Sequence, residues 1–184
     1  MNWLQEAFLE PTMVQAVIII SLVSALGLYL GRIKIFGISL GITFVFFAGI
    51  FAGHLGIVVN KDMLYFAQSF GLILFVYALG LQVGPGFFSS LKKGGVAMNM
   101  MGLGVILLGL IMTVSLHWVT GVSLSNMVGL LCGAVTNTPA LGAAQQALLQ
   151  IDPANTKGVT DMALACAVAY PLGVVGVILA IIIL

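Results

Sequence analysis

Charge is what this sequence has least of. Lysine, arginine, aspartate and glutamate together make up 6% of its 184 residues, whereas a water-soluble domain carries about 25%. Since 61% of the residues are hydrophobic and the mean hydropathy is +1.24, the chain is not expected to fold in water. The net charge of +1 and the lack of a basic stripe exclude a nucleic-acid-binding surface. The composition predicts an all-α integral membrane protein.

Reactive and metal-binding residues are also scarce. The two cysteines, Cys132 and Cys166, both lie inside apolar segments, and we interpret them as packing residues rather than as a disulfide or a metal pair. The sequence has no Walker motif, metal-ligand cluster or nucleophile constellation. We therefore expect no enzymatic activity, no catalytic residue, no metal and no cofactor. No aspartate, glutamate or lysine lies in mid-span, so the usual proton relay of a transporter is missing.

Apolar runs divide the chain into candidate spans. A spanning helix needs about 20 residues. The runs predict about five spanning helices plus one broken or re-entrant helix hairpin, all within a single transmembrane domain covering residues 1–184. The acidic Glu6 and Glu10 precede the first run, where a signal peptide would carry basic residues, so this run is also interpreted as a span. The spans are residues 13–30, 35–53, 63–83, 96–118 and 161–184, and the broken segment is 126–150.

The basic residues predict the orientation. Arg32 and Lys34 follow the first span, and Lys92 and Lys93 follow the third. Because basic loops stay in the cytoplasm, the N-terminus is expected on the external side of the membrane. If the broken segment crosses fully, the C-terminus is external; if it dips in and returns, the C-terminus is cytoplasmic. Its polar centre favours the re-entrant hairpin.

The stretch Thr136-Asn137-Thr138-Pro139 interrupts an apolar segment with polar, helix-breaking residues. Backbone cannot stay unpaired in lipid, so such a break is buried in protein or lines a water-filled cavity. Asn137 and Thr138 suit a helix cap, and Pro139 suits the first helical position. The half-helix that follows would point its positive end and its free N–H groups at a carboxylate. The alternative is a kink with only a packing role.

Two further places are candidate parts of a substrate site. The third span is expected to end in the turn Gly84-Pro85-Gly86. Gln82 or this turn would face residues 136–138 across a polar cavity, where the Gln82 amide could bind a ligand. The alternative is a plain helix stop with no part in binding. Tyr170 precedes a proline in the last span and either lines a pore or satisfies a freed carbonyl. Glycines spaced four apart predict tight helix packing. These pairs are Gly27 and Gly31, Gly37 and Gly41, Gly49 and Gly53, and Gly80 and Gly84.

Residues 70–95, FGLILFVYALGLQVGPGFFSSLKKGG, and 133–146, GAVTNTPALGAAQQ, resemble the aspartate–alanine exchanger family, in particular its YidE-type branch of bacterial transporters. The resemblance implies two membrane halves in inverted arrangement, separated by cytoplasmic regulatory domains, of which this chain matches the first half only. It also implies a relation to the sodium–proton antiporter and bile-acid symporter superfamily, of which the chain would be one inverted repeat. The expected location is the bacterial inner membrane.

The function expected from this resemblance is half of a secondary active transporter, working by exchange. Its solute would be a small organic anion such as an acidic amino acid or a dicarboxylate. Its protein partner would be a second copy in a homodimer or a complementary transporter half. The alternative is a non-transporting membrane assembly subunit or a channel-like pore.

Overall fold

The computed structural model describes residues 11–35, 38–39, 41–90 and 95–183. Helices α1, α3, α4 and α7 are long and apolar enough to cross a membrane, which confirms the predicted helical membrane class. The acidic N-terminal residues and the Lys92–Lys93 pair lie outside the described residues. In chain order the elements are α1 (Met13–Leu30), β1 (Lys34–Ile35), β2 (Ile38–Ser39), α2 (Thr43–His54), α3 (Lys61–Ser90), α4 (Val96–Thr120), α5 (Leu124–Ala134), α6 (Thr138–Ile151) and α7 (Thr156–Ile183).

Contacts divide the chain into two compact units, residues 1–69 and 70–184. In the first unit α1 packs against α2. Gly27 allows this close approach, because a Cβ at that position would lie only 2.7 Å from the backbone nitrogen of Val45. Gln15 is buried near the start of α1, and its Nε2 donates a 2.8 Å hydrogen bond to the carbonyl oxygen of Val58. The loop between α2 and α3 is thereby tied to α1.

The second predicted span, 35–53, is wrong in its first third. β1 and β2 form a two-stranded antiparallel hairpin there, and Gly41 follows in a left-handed turn with φ of 54°. The helix begins only at Thr43, so Gly41 is not part of it, and Gly37, with which it was expected to pair, lies outside the described residues. The 12 residues of α2 extend about 18 Å, against a hydrocarbon core of about 30 Å. Within the described residues, four helices rather than five reach spanning length.

The third predicted span does not end at Gly84-Pro85-Gly86. α3 continues through Pro85 to Ser90, so the expected turn is wrong. A proline inside a helix removes one backbone hydrogen bond and crowds the preceding turn. Here its neighbours are glycines without side chains, and none of the residues of α3 is buried, so little packing is disturbed. Membrane helices tolerate prolines where neighbouring helices, serine or threonine side chains, or water satisfy the freed backbone groups.

The second unit is organised around α7. α5 packs along α7, and α6 packs against its beginning. Gly129 of α5 lies against Met162 and Ala165, and Gly133, one turn later, lies against Cys166 and Ala169. Because residue numbers rise together on both helices, α5 and α7 run parallel.

α6 runs in the opposite direction. The Nε2 of Gln145 donates to the carbonyl oxygen of Val159 at 2.9 Å, and Leu148, further along α6, touches the earlier Gly158. The chain therefore reverses at residues 135–137, between α5 and α6. This reversal matches the predicted hairpin rather than a continuous crossing.

Candidate functional site

The reversal between α5 and α6, residues 135–138, forms a compact tip. The N–H of Asn137 donates to the carbonyl oxygen of Cys132 at 2.8 Å, and the N–H of Thr136 donates to that of Gly133 at 3.0 Å. This pair of bonds is the Schellman arrangement that ends a helix and satisfies its last carbonyls. The broken backbone of the segment is thus internally paired at this end.

Thr136 has the left-handed backbone conformation that this cap requires. Its φ is 53°, and it is the one non-glycine residue with a positive φ in the described part of the chain. Glycine usually takes this position because a side chain costs about 1–2 kcal/mol there. A β-branched residue is unusual in this conformation, so the tip holds local strain that its surroundings must offset.

Asn137 caps α6, as predicted from the sequence. Its Oδ1 accepts a hydrogen bond from the N–H of Ala140 at 3.0 Å. Thr138 is the first residue of α6 and Pro139 the second, one position later than expected. Since Pro139 has no N–H and that of Ala140 is used by the cap, the expected set of free backbone donors shrinks to the N–H of Thr138. This is a correction to the predicted anion site.

The polar side chains of the tip remain accessible. Thr136 and Thr138 are half-buried, and Asn137 is exposed. Neither threonine hydroxyl nor the Asn137 amide NH₂ has a hydrogen-bond partner in the described part of the chain. These three groups and the Thr138 N–H can therefore bind a polar solute.

Tyr170 contacts the tip from the middle of α7. Its side chain is 3% exposed, and its hydroxyl donates to the carbonyl oxygen of Thr136 at 3.2 Å. Of the two roles considered for this residue, the structure shows the hydrogen bond to a carbonyl freed at a helix end. Pro171 lies inside α7 rather than ending it. Cys132 and Cys166 are free and buried, which agrees with a packing role.

The structure does not bring the predicted residues of α3 to the tip. Gln82, Gly84 and Gly86 are all exposed, and a Cβ added at either glycine would meet nothing within 4 Å. Gly86 instead lines a cavity of about 330 Å³ that also touches Asn99 of α4. The part of these α3 residues in a substrate site therefore stays a prediction.

The glycines that position the tip were missed in the sequence. Gly133 packs so closely that a Cβ there would lie 2.5 Å from the carbonyl oxygen of Cys166. A Cβ at Gly173 would overlap the carbonyl oxygens of Gly133 and Ala134, so the end of α5 rests directly on the α7 backbone. The signal was present, because Gly129 and Gly133 are spaced four apart, as are Ala169 and Gly173.

Among the described residues, no group of three or more histidine, cysteine, aspartate or glutamate side chains is placed to hold a metal ion. The tip offers uncharged hydrogen-bonding groups next to two helix ends.

Comparison with known sequences identifies the family of the chain. Residues 19–184 match a family profile, Asp-Al_Ex, described as a predicted permease membrane region. The chain belongs to the aspartate–alanine exchanger family. No solved structure was found to match it.

Several relatives in this family are named as transporters. An uncharacterized transporter of Bacteroides thetaiotaomicron is 60% identical over 184 residues, which is 100% of this chain and 32% of the relative. One of Porphyromonas gingivalis is 60% identical over 178 residues, 97% of this chain and 32% of the relative. One of Bacteroides fragilis is 54% identical over 164 residues, 89% of this chain and 29% of the relative. The chain thus spans about a third of the length of these proteins, and it is a multi-pass membrane protein of a transporter family.

Proposed function

We propose that this chain forms the first membrane half of a secondary transporter that carries a small organic anion by exchange. The observation that carries the proposal is the reversal of the chain at residues 135–137. It places the side chains of Thr136, Asn137 and Thr138 between two helix ends, beside Tyr170 in the middle of a helix of spanning length. In transporters, helix ends near the middle of the bilayer bind polar solutes.

The two helix ends differ in polarity, and this difference favours one solute class. The N-terminus of α6 carries a partial positive charge, and the N–H and hydroxyl of Thr138 are donors for a carboxylate. The C-terminus of α5 carries a partial negative charge, which favours a nearby ammonium group even though the Cys132 and Gly133 carbonyls are already hydrogen-bonded. An amino acid presents both groups, so an acidic amino acid fits the tip better than a dicarboxylate does. No carboxylate side chain is needed for exchange of such solutes.

The orientation also belongs to this proposal. α5 and α7 run parallel and begin on the same side, so an external start for α5 gives an external start and a cytoplasmic end for α7. The positive-inside rule keeps Arg32, Lys34, Lys92 and Lys93 on one side, which requires that residues 35–60 return the chain across the membrane despite the shortness of α2. Single cysteines at Glu6 and Ser89, in a variant without native cysteines, should label from opposite sides of the membrane. Labelling of both from one side would refute the orientation.

Solute binding is tested by the shift in thermal unfolding midpoint of the purified protein with L-aspartate, succinate or choline. A ligand of the folded state raises the midpoint by mass action. We expect the largest shift with L-aspartate, a smaller one with succinate and none with choline. If no organic anion in a wider panel raises the unfolding midpoint, the result would support the alternative of a membrane assembly subunit. Solute flux without exchange would support the alternative of a channel-like pore.

Asn137→Ala tests whether the tip is the site, and Asn155→Ala is its matched control. Both residues cap a helix, since Asn155 Oδ1 accepts from the Gly158 N–H at 2.9 Å. Each substitution should lower the free energy of unfolding by about 1 kcal/mol. Only Asn137→Ala should also reduce the shift with L-aspartate, by at least half. Equal shifts in both variants would show that residues 136–139 are a structural kink.

A further inference from the structure

The hydroxyl of Tyr170 is hydrogen-bonded to the backbone of the tip. Tyr170 is almost completely buried in α7, and its hydroxyl points at the carbonyl oxygen of Thr136. The hydroxyl therefore cannot donate its hydrogen to a solute without breaking that bond. This geometry argues against Tyr170 as a direct ligand of the solute and directs attention to what the bond does.

The bond acts on the one strained non-glycine residue of the described chain. A carbonyl points in a different direction when its residue is left-handed than when it is helical. The hydrogen bond from Tyr170 to the Thr136 carbonyl therefore selects the left-handed conformation. If Thr136 relaxed into a helical conformation, α5 would extend and the carbonyl would leave the tyrosine. Asn137 would then lose its position as cap of α6.

Tyr170 is also attached to a part of α7 that has one backbone hydrogen bond fewer. Pro171 follows it inside the helix, and proline offers no N–H to the preceding turn. Gly173, one turn further, supports the last carbonyls of α5. The tip is thus held from two points on one turn of α7, by a side-chain bond and by backbone contact.

We propose that Tyr170 is a positioning residue of this site, whose hydroxyl holds Thr136 in its left-handed conformation and so sets where Asn137 and Thr138 present their polar groups. As a statement about solute binding, the inference rests on the proposed function. As a statement about the tip, it can be tested without any solute.

The first test measures how fast a cysteine at position 138 reacts with a membrane-permeant maleimide, with Cys132 and Cys166 replaced by alanine. Thr138 is half-buried, so release of the tip should expose it. Tyr170→Phe should raise the rate at least threefold. Tyr77→Phe is the matched control, because Tyr77 is 63% exposed on α3, and it should leave the rate unchanged.

Rescue at Thr136 separates positioning from general packing. Glycine adopts the left-handed conformation at no steric cost, whereas alanine does not. Thr136→Gly added to Tyr170→Phe should therefore return the labelling rate to within twofold of the parent, and Thr136→Ala should not. An unchanged rate in Tyr170→Phe, or equal effects of glycine and alanine, would overturn the proposal. If Tyr170→Phe is too unstable to purify, recovery of folded protein by glycine but not by alanine decides the same question.

The second test uses L-aspartate as the probe. Tyr170→Phe should raise the concentration that gives half of the maximal thermal shift by about tenfold, and Thr136→Gly should restore it to within threefold in the double variant. An unchanged concentration in Tyr170→Phe would refute the positioning role. If the parent shows no shift with L-aspartate, the proposed solute is wrong, while the labelling result still decides whether Tyr170 holds the tip.

Discussion

Glycines of α3 and glycines of the α5–α7 pair have similar spacing and opposite surroundings. Gly80 and Gly84 are four apart, and nothing lies within 4 Å of a Cβ built on either. Gly129 and Gly133 are also four apart, and each presses against the backbone of α7. Glycine spacing therefore shows that a helix can be approached closely, but the approaching helix has to be identified from contacts.

The difference has a cause in the facing surfaces. α7 presents Ala165, Ala169 and Gly173 along one side, so two rows of small residues meet and the backbones come together. Helix α3 has no buried residue within the described chain.

The comparison is tested most strongly at Gly133. Gly133→Ala places a methyl group against the Cys166 carbonyl, where only backbone movement can relieve the overlap. We expect a loss of about 3 kcal/mol in unfolding free energy, at the upper end for overpacked cores. Gly80→Ala should be neutral or slightly stabilising, because its space is open and alanine favours helix. Similar unfolding midpoints for the two variants in detergent would contradict the contrast.

A second copy is the partner that we predict for the open faces when this chain is studied alone. The protein should form a two-fold homodimer in detergent. Gly84→Leu should weaken the dimer at least tenfold, about 1.4 kcal/mol, because it fills the open face of α3. Mass measurement across a wide concentration range is the check. A monomer at every concentration would contradict the predicted dimer. A dimer unaffected by Gly84→Leu would show that its interface does not include this face of α3.

Pro139→Ala should give the smallest effect. Proline restricts the unfolded chain, so its loss should cost about 0.4–1 kcal/mol of unfolding free energy. The substitution also adds an N–H in the first turn of α6, next to that of Thr138. Binding of L-aspartate, followed by thermal shift, should therefore be retained or strengthened. Loss of the shift with normal folding would mean that the solute does not approach this end of α6.

Local sequence signals predicted the break better than they predicted the spans. Asn137 as a cap follows from side-chain chemistry within a few residues, and the structure confirms it. The misjudged elements depend on information that is not local. A proline in Gly84-Pro85-Gly86 reads as a stop, yet α3 passes through it because nothing packs there. The spacing of Gly41 predicts a helix-packing residue, but in the structure Gly41 lies in a turn after a hairpin.

The carbonyl that Tyr170 binds and the backbone conformation of Thr136 could not be predicted from the sequence. The hydrogen bond from Tyr170 joins residues 34 apart in sequence, and only the parallel register of α5 and α7 brings them together. The left-handed backbone of Thr136 contradicts the preference of its residue type. Both features depend on packing against α7, so neither can be predicted from residues 126–150 alone.

The parallel pairing of α5 with α7 has a consequence for biosynthesis. α5 and α6 have 11 and 14 residues, and neither is long enough to cross a bilayer by itself. Their contacts with Tyr170 and Gly173 form only after α7 has been synthesised, when the polar tip gains its partners. We therefore expect the hairpin to wait at the membrane surface and to enter together with α7. The insertion machinery would then insert residues 124–183 together rather than one helix at a time.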